Sequence, residues 1–335
     1  MTALTAGKNQ RLAFLLPDLD GGGVQKNTLT IARGMAALGF DIDLLLCSET
    51  GALLSQVPEH FNIIGLQQDR QWTARRKALT AGNTYWSALL QPVLLAPKPS
   101  KTLRYLPALS EYLRTVQPVA LLSAIVHLNI EAVLAKAMSG ARTRIIVTQS
   151  HQFSTWHGLS GEWRRRHIRN LARKAYLAAD GIIAVSQGVA TDLVEFLDIP
   201  DERVEVIYNP VVTPELLEGR ALPVDHLWFG EGEAPVILSV GRLGRQKDFA
   251  TLVRAFAQVR EQIPSRLLIV GEACDSGKND QRRRALLALA EELGVSDYLG
   301  FQGFVHNPYA YMANAAVFVL SSHYEGFGNV LAEAL

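Results

Sequence analysis

Short unbroken apolar runs, each followed by a turn and then by a helix-spaced apolar pattern, constrain this chain most. Residues 12–16, Leu-Ala-Phe-Leu-Leu, are continuous rather than alternating, as expected of a strand buried on both faces. Pro17 ends the run and Gly21-Gly22-Gly23 follows. Val24, Thr28, Ile31, Met35 and Leu38 then recur at spacings of three and four until Gly39. Residues 42–47 supply the next strand and complete a βαβ unit. The pattern returns at 119–126 with a helix over 130–138, at 144–148, at 179–186 with a helix from Gln187, and at 204–208. It resumes at 236–240, 267–270, 298–305 and 316–320, with helices through Leu252, Phe256 and Val259 and over 282–293. Such alternation predicts an α/β chain of two Rossmann-like doubly wound domains facing across a cleft. A length of 335 residues suits two domains. Asn209-Pro210 closes the last strand of the first half. The Pro-, Gly- and acid-rich residues up to Gly232 hold the connection, so the domains are 1–214 and 215–335.

Composition removes several classes of function. A formal net charge of +1 gives no global case for nucleic acid or for an acidic partner. The two cysteines, Cys47 and Cys274, form neither a disulfide framework nor a metal-ligand spacing, which fits a reducing compartment. The N-terminus lacks the basic start and long apolar core of a signal peptide. No run approaches the roughly 18 apolar residues of a membrane span. The expected location is cytoplasmic, with peripheral contact at the inner face of the membrane. Asp18/Asp20 and Asp41/Asp43 have a D-x-D metal spacing, but one pair precedes a turn and the other flanks a buried strand, so no metal is expected. GGGVQKN has Lys26 where a dinucleotide fingerprint needs its third glycine. GEACDSGKND, from Gly271, is one residue too long for a P-loop and has Asn279 after Lys278.

Between residues 67 and 105, Arg70, Arg75, Arg76, Lys77, Lys98, Lys101 and Arg104 face one acid, Asp69, and alternate with Trp72, Tyr85, Trp86 and Tyr105. This stretch reads either as an amphipathic helix pair with a solvated face or as a rim for an anionic lipid head group or phosphorylated glycan. A second basic stretch runs from Glu162 to Lys174.

The chemistry concentrates at the end of the chain. After residues 316–320 the chain turns through Glu325-Gly326-Phe327-Gly328 and enters helix-forming residues at Asn329, a suitable N-cap. Free amides at a helix start reached through glycines attract phosphate. Glu325 and Glu333 bracket that point. A carboxylate does not bind phosphate by charge, so each is expected to accept hydrogen bonds from hydroxyls. Phosphates in the middle with hydroxyls on either side describe a nucleotide sugar. His127 and His151 follow predicted strands, where α/β folds place ligand contacts; His157 is a weaker third candidate.

The E-x7-E pair in EGFGNVLAEAL, together with GRLGRQKDFATLVRAF at 241–256, resembles the retaining glycosyltransferases of family 4, which have the GT-B fold. The resemblance covers nearly the whole chain. It implies that Glu325 contacts the donor sugar and Glu333 the ribose hydroxyls. Arg242 and Lys247 would neutralise the leaving diphosphate, with the backbone of Phe327, Gly328, Asn329 and Val330 beside it. Val305 would lie against the nucleobase, Gly22 and Gly23 near the donor phosphate and acceptor, and His151 beside the donor sugar. Family members often carry Glu soon after the glycines, where this chain has Val24-Gln25. They also continue past the helix carrying Glu333, so the resemblance implies a C-terminally truncated member with an incomplete donor domain. The implied activity is hexosyl transfer with retention. A UDP- or GDP-linked sugar would be the donor, no cofactor is required, and the acceptor would be a glycan or lipid-linked, in lipopolysaccharide or exopolysaccharide biosynthesis. Alternatives are a non-catalytic nucleotide- or glycan-binding GT-B module and a GT-B sugar-nucleotide epimerase.

Overall fold

The computed structural model describes residues 10–69, 104–155, 162–271 and 277–335. Most of the basic and aromatic stretch (residues 70–103), His157 and Cys274 lie outside them. The chain divides into two compact units, Met1–Pro210 and Val211–Leu335. The break precedes residue 214 because Val211 already packs with Leu216, Tyr309 and Met312 in the second unit's core.

The first unit is a parallel sheet of β1 (Arg11–Leu16), β2 (Asp41–Leu46), β3 (Asn62–Gly65), β4 (Ala120–Ser123), β5 (Arg144–Gln149), β6 (Gly181–Ala184) and β7 (Val204–Val206). The strand order is β3-β2-β1-β4-β5-β6-β7. Leu12 lies beside Ile42 on one side and Ala120 on the other. Leu16, Leu44, Leu45 and Leu46 are wholly buried. Each contributes about 1.5–3 kcal/mol of apolar burial, which is why these strands are continuous apolar runs.

The helices of this unit are α1 (Gly23–Ala37), α2 (Leu106–Val116), α3 (Val126–Ser139), α4 (Glu162–Ala178) and α5 (Gln187–Leu197). α1 stops where Gly39 takes φ +93°, a left-handed conformation that glycine adopts without strain. Ser186 caps α5, its hydroxyl accepting from the Val189 amide at 3.3 Å.

The expected strand over 119–126 is shorter than its apolar run. β4 ends at Ser123 and α3 begins at Val126. α3 is buried on most of its circumference, so its first apolar residues look like a continuation of the strand. His127 therefore sits in the first turn of α3 and not at a strand end.

The second unit holds a smaller parallel sheet of β8 (Val236–Val240), β9 (Arg266–Val270), β10 (Leu299–Gly303) and β11 (Val317–Phe318), ordered β10-β9-β8-β11. Its helices are α6 (Pro214–Gly219), α7 (Phe249–Arg260), α8 (Gly277–Glu292), α9 (Pro308–Asn314) and α10 (Asn329–Ala334). Leu252, Val253 and Phe256 of α7 pack on Leu267 and Ile269 of β9. Tyr309, Tyr311 and Met312 of α9 pack on the other set, Leu238, Val240, Leu268 and Val270. Both faces of this sheet are thus covered.

The two sheets share one ordering principle. The first strand of each lies between the second strand and the fourth. The order of connection reverses between β1 and β4, and again between β8 and β11. In parallel α/β sheets, ligands bind beyond the carboxyl ends of the strands at that reversal.

Candidate functional site

In the second unit the reversal lies between β8 and β11, and the two motif-bearing loops leave the sheet there. The first runs from Gly241 to Asp248 and contains a single 3₁₀ turn over Arg245–Lys247. The second runs from Val319 to Gly328. Ser239, wholly buried in β8, donates to the Val319 carbonyl at 2.7 Å, and Ser321 Oγ donates to the Lys247 carbonyl at 2.7 Å. The His323 amide donates to the Gln246 carbonyl at 2.8 Å. Gln246 Nε2 donates to the Tyr324 carbonyl at 2.7 Å and reaches Glu325 Oε2 at 3.4 Å. Lys247 Nζ pairs with Glu325 Oε1 at 2.7 Å.

Arg242 is exposed and makes no ion pair among the described residues, so its guanidinium can meet an incoming anion. Glycine is required behind it. Gly271 takes φ +131°, and a Cβ there would fall 2.4 Å from the Gly241 carbonyl oxygen. Asp248 closes the loop: its backbone adopts φ +43° and its carboxylate accepts from the Thr251 amide, starting α7.

The glycine turn before α10 differs from the expected cap. Gly328, at φ +79°, holds the N-cap position and no side chain caps the helix; Asn329 is the first helical residue. A left-handed backbone at that point favours glycine, which displaces Asn329 by one position. Glu333 lies four residues after Asn329, on the same face of α10. Phe327, Val330 and Val305 are half-buried, packed against the core cluster that includes Val240, Val270 and Tyr309.

Arg242 and Lys247 therefore lie on one loop and Glu325 and Gly328 on the adjoining one, with Asn329 opening α10 directly after it. Ser239, Gln246 and Ser321, which tie those loops together, were not singled out in the sequence. Ser239 had a signal, a lone hydroxyl in an otherwise apolar strand. Gln246 had only its place next to Lys247.

In the first unit the reversal lies between β1 and β4. Gly22 is the N-cap of α1 and Gly23 its first residue. Asp18 Oδ1 accepts from the Asp20 amide at 3.1 Å and from Gln25 Nε2 at 2.9 Å, which folds the turn back on itself. Asp43 is 1% exposed and accepts from Tyr112 Oη at 2.6 Å and Asn62 Nδ2 at 3.3 Å, with Arg11 Nε at 3.6 Å. Both D-x-D pairs thus have structural partners. Among the described residues no group of three or more His, Cys, Asp or Glu could hold a metal ion. Burial pushes the Cys47 thiol up to about 12, and the carboxylates of Glu131 and Asp18 add to it, which disfavours the thiolate.

His151 stands two residues past β5 and is half-buried. Burial lowers its pKa below the ordinary imidazole value, against a smaller upward pull from Asp192. That favours the neutral imidazole at pH 7, in which one ring nitrogen donates and the other accepts. His127 is lowered by burial as well. Among the described residues no helix is long and apolar enough to cross a membrane.

The chain is similar to known sugar-transferring proteins along its length. It is 28% identical over 333 residues to N-acetylgalactosamine-N,N'-diacetylbacillosaminyl-diphospho-undecaprenol 4-alpha-N-acetylgalactosaminyltransferase of Campylobacter jejuni, covering 97% of this chain and 78% of that protein. It is 34% identical over 117 residues to the lipopolysaccharide core biosynthesis glycosyltransferase LpsE of Rhizobium meliloti, covering 35% of this chain and 32% of that one. Among solved structures, HepE of Anabaena in complex with UDP-glucose superposes with a TM-score of 0.69 at 18% identity, over 97% of this chain and 78% of the other. The two Rossmann-like units and this likeness identify the fold as GT-B. The family model "Glycosyl transferases group 1" matches residues 229–335. The model "Glycosyltransferase Family 4" matches residues 21–214, more than half of the chain, and the chain belongs to that family.

Proposed function

We propose that the protein is a retaining hexosyltransferase that moves a sugar from a UDP- or GDP-linked donor to a lipid-linked glycan acceptor. The observation that carries this reading is the pair of loops at the β8/β11 reversal. There Arg242, exposed and without an ion pair among the described residues, stands with Lys247 on one loop, and Glu325 on the other is tied to that loop. Arg242 and Lys247 neutralise charge growing on the leaving diphosphate, together with the amides around Asn329. Glu325 accepts hydrogen bonds from the donor sugar and Glu333 from the ribose. Val305 borders the base. In this reading the second unit binds the donor and the first unit the acceptor, and His151 is the first unit's candidate contact to the transferred sugar. The Glu325 carboxylate meets Gln246 and Lys247, and among the described residues no second carboxylate contacts it, which favours same-face attack with the departing phosphate taking the acceptor's proton over a covalent glycosyl-enzyme.

The Campylobacter relative's name gives a diphospho-undecaprenol-linked acceptor, and its match extends over 97% of this chain. That supports a lipid-linked acceptor and work at a membrane surface, and the name of the Rhizobium relative supports a place in lipopolysaccharide biosynthesis. The basic, aromatic sequence between residues 67 and 105 fits such a surface.

The test is transfer from UDP-N-acetylgalactosamine, UDP-glucose and GDP-mannose to a polyprenyl-diphosphate-linked saccharide, with the product's anomeric proton coupling read by NMR. The reading expects an α-linked product from an α-linked donor. A β-linked product would remove retention. Donor cleavage at the same rate with and without acceptor would remove transfer.

A further inference from the structure

Beneath the carboxyl ends of β4 and β5 lies a polar chain that no motif marks. Ser123, Asn129 and Tyr176 are 0% exposed and Gln149 is 1% exposed. Ser123 Oγ donates to Asn129 Oδ1 at 2.7 Å. Asn129 Nδ2 donates to the Thr148 carbonyl at 3.0 Å and to Tyr176 Oη at 2.8 Å. Tyr176 Oη donates to Gln149 Oε1 at 2.6 Å, and Gln149 Nε2 donates to the His151 carbonyl at 2.6 Å. Apart from the branch to Thr148, each bond runs in one direction, from Ser123 towards His151.

We propose that Gln149 is a positioning residue for His151, held in orientation by a buried relay through Tyr176, Asn129 and Ser123.

Burying four polar side chains is costly unless all are satisfied, and apolar residues of similar size would fill the same layer without that cost. The chain ends on a loop carbonyl beyond the strand, a group that water would otherwise satisfy. Reversing the Gln149 amide would set its nitrogen against the Tyr176 hydroxyl and its oxygen against the His151 carbonyl. One orientation alone satisfies both ends, and it fixes where the backbone of His151 lies. From the other side, the Asp192 carboxylate accepts from the Phe153 and Ser154 amides, the latter at 3.1 Å. Residues 151–154 are thus clamped by a buried glutamine and by an aspartate of α5. The consequence for turnover rests on the role proposed above for His151; the placement of its backbone does not.

The test uses the full chain and needs no acceptor. Imidazole ¹H–¹³C spectra are recorded for wild type, Gln149→Met and Tyr176→Phe, the second chosen because it keeps the ring volume. The His151 resonance is expected to shift and broaden in both variants while those of His60 and His226 stay in place. An unchanged His151 resonance in the folded variants would overturn the proposal. Release of UDP from UDP-N-acetylgalactosamine and UDP-glucose by hydrolysis, water taking the glycosyl group, supplies the second arm. Gln149→Met is expected to lower kcat by roughly tenfold or more with KM unchanged. The Gln149→Met/His151→Ala double variant is expected to lose no more than His151→Ala. Losses that multiply would make Gln149 an independent structural residue and overturn the proposal. If His151→Ala turns over donor like wild type, the role of His151 falls and its spectrum still judges the relay.

Discussion

Lys247 Nζ lies 2.7 Å from Glu325 Oε1, with the two side chains 17% and 24% exposed. In the proposed site the lysine faces the diphosphate and the glutamate the sugar. The two groups are partners of opposite charge, so the proposed donor would draw on both ends of the pair. Glu325→Gln removes the counter-charge and keeps the shape. UDP alone should then bind as tightly as before or up to roughly tenfold tighter, about 1.4 kcal/mol. Turnover of the nucleotide sugar should fall by about a hundredfold. Calorimetric titration and a UDP-release assay on the same preparation check both. Weaker binding of UDP would mean that the pair serves to hold the loop rather than to await the ligand.

Gly271→Ala should destabilise the second unit by at least about 2 kcal/mol. The added methyl would sit 2.4 Å from a backbone oxygen, on a residue whose φ is +131° and whose amide donates to the Gly303 carbonyl at 2.7 Å. Gly39→Ala is the control. Its φ of +93° is also left-handed, but a Cβ there meets nothing within 4 Å, so its cost should stay near 1 kcal/mol. Denaturant unfolding of the two variants gives the comparison.

The sequence exposed the strands whose faces are both buried, and the loops whose charge and glycine spacing cannot serve a core. It did not expose β3, where Asn62 and Ile63 are exposed at the sheet edge and leave no alternation to read. α9 is too short for a helical period to accumulate. The start of α3 was hidden because a helix buried all round resembles a strand. The helix cap moved from Asn329 to Gly328 because backbone handedness, not side-chain capping, sets that turn. The relay beneath His151 was invisible for a different reason. Ser123, Asn129, Gln149 and Tyr176 come from two strands and two helices, and nothing local distinguishes them from ordinary polar residues until the sheet brings them together.

Acid should weaken the fold before the carboxylates titrate. Burial lowers the pKa of His127 and His151, and burial with the nearby Arg266 charge lowers that of His226. The unfolded chain, with imidazoles near 6.5, therefore binds more protons than the folded chain between the lowered values and about 6.5. Stability rises with pH through that window and is lost as pH falls through it. The melting temperature should be lower at pH 5.5 than at pH 7.5, and His127→Gln should reduce the difference. Equal melting at both pH values would mean that these imidazoles are as accessible to protons folded as unfolded.

The central claim is that the loops at the β8/β11 reversal bind a nucleoside diphosphate through Arg242. The most direct measurement is a calorimetric titration of UDP and GDP, free and as nucleotide sugars, into wild type and Arg242→Ala. Arg242 is exposed and unpaired among the described residues, so the variant should melt within about 0.5 kcal/mol of wild type in stability. The account predicts saturable binding of one diphosphate, weakened tenfold or more in the variant, roughly 1.5–3 kcal/mol for a charge-assisted contact. Equal affinity in the two folded proteins, or no binding to either, would contradict it.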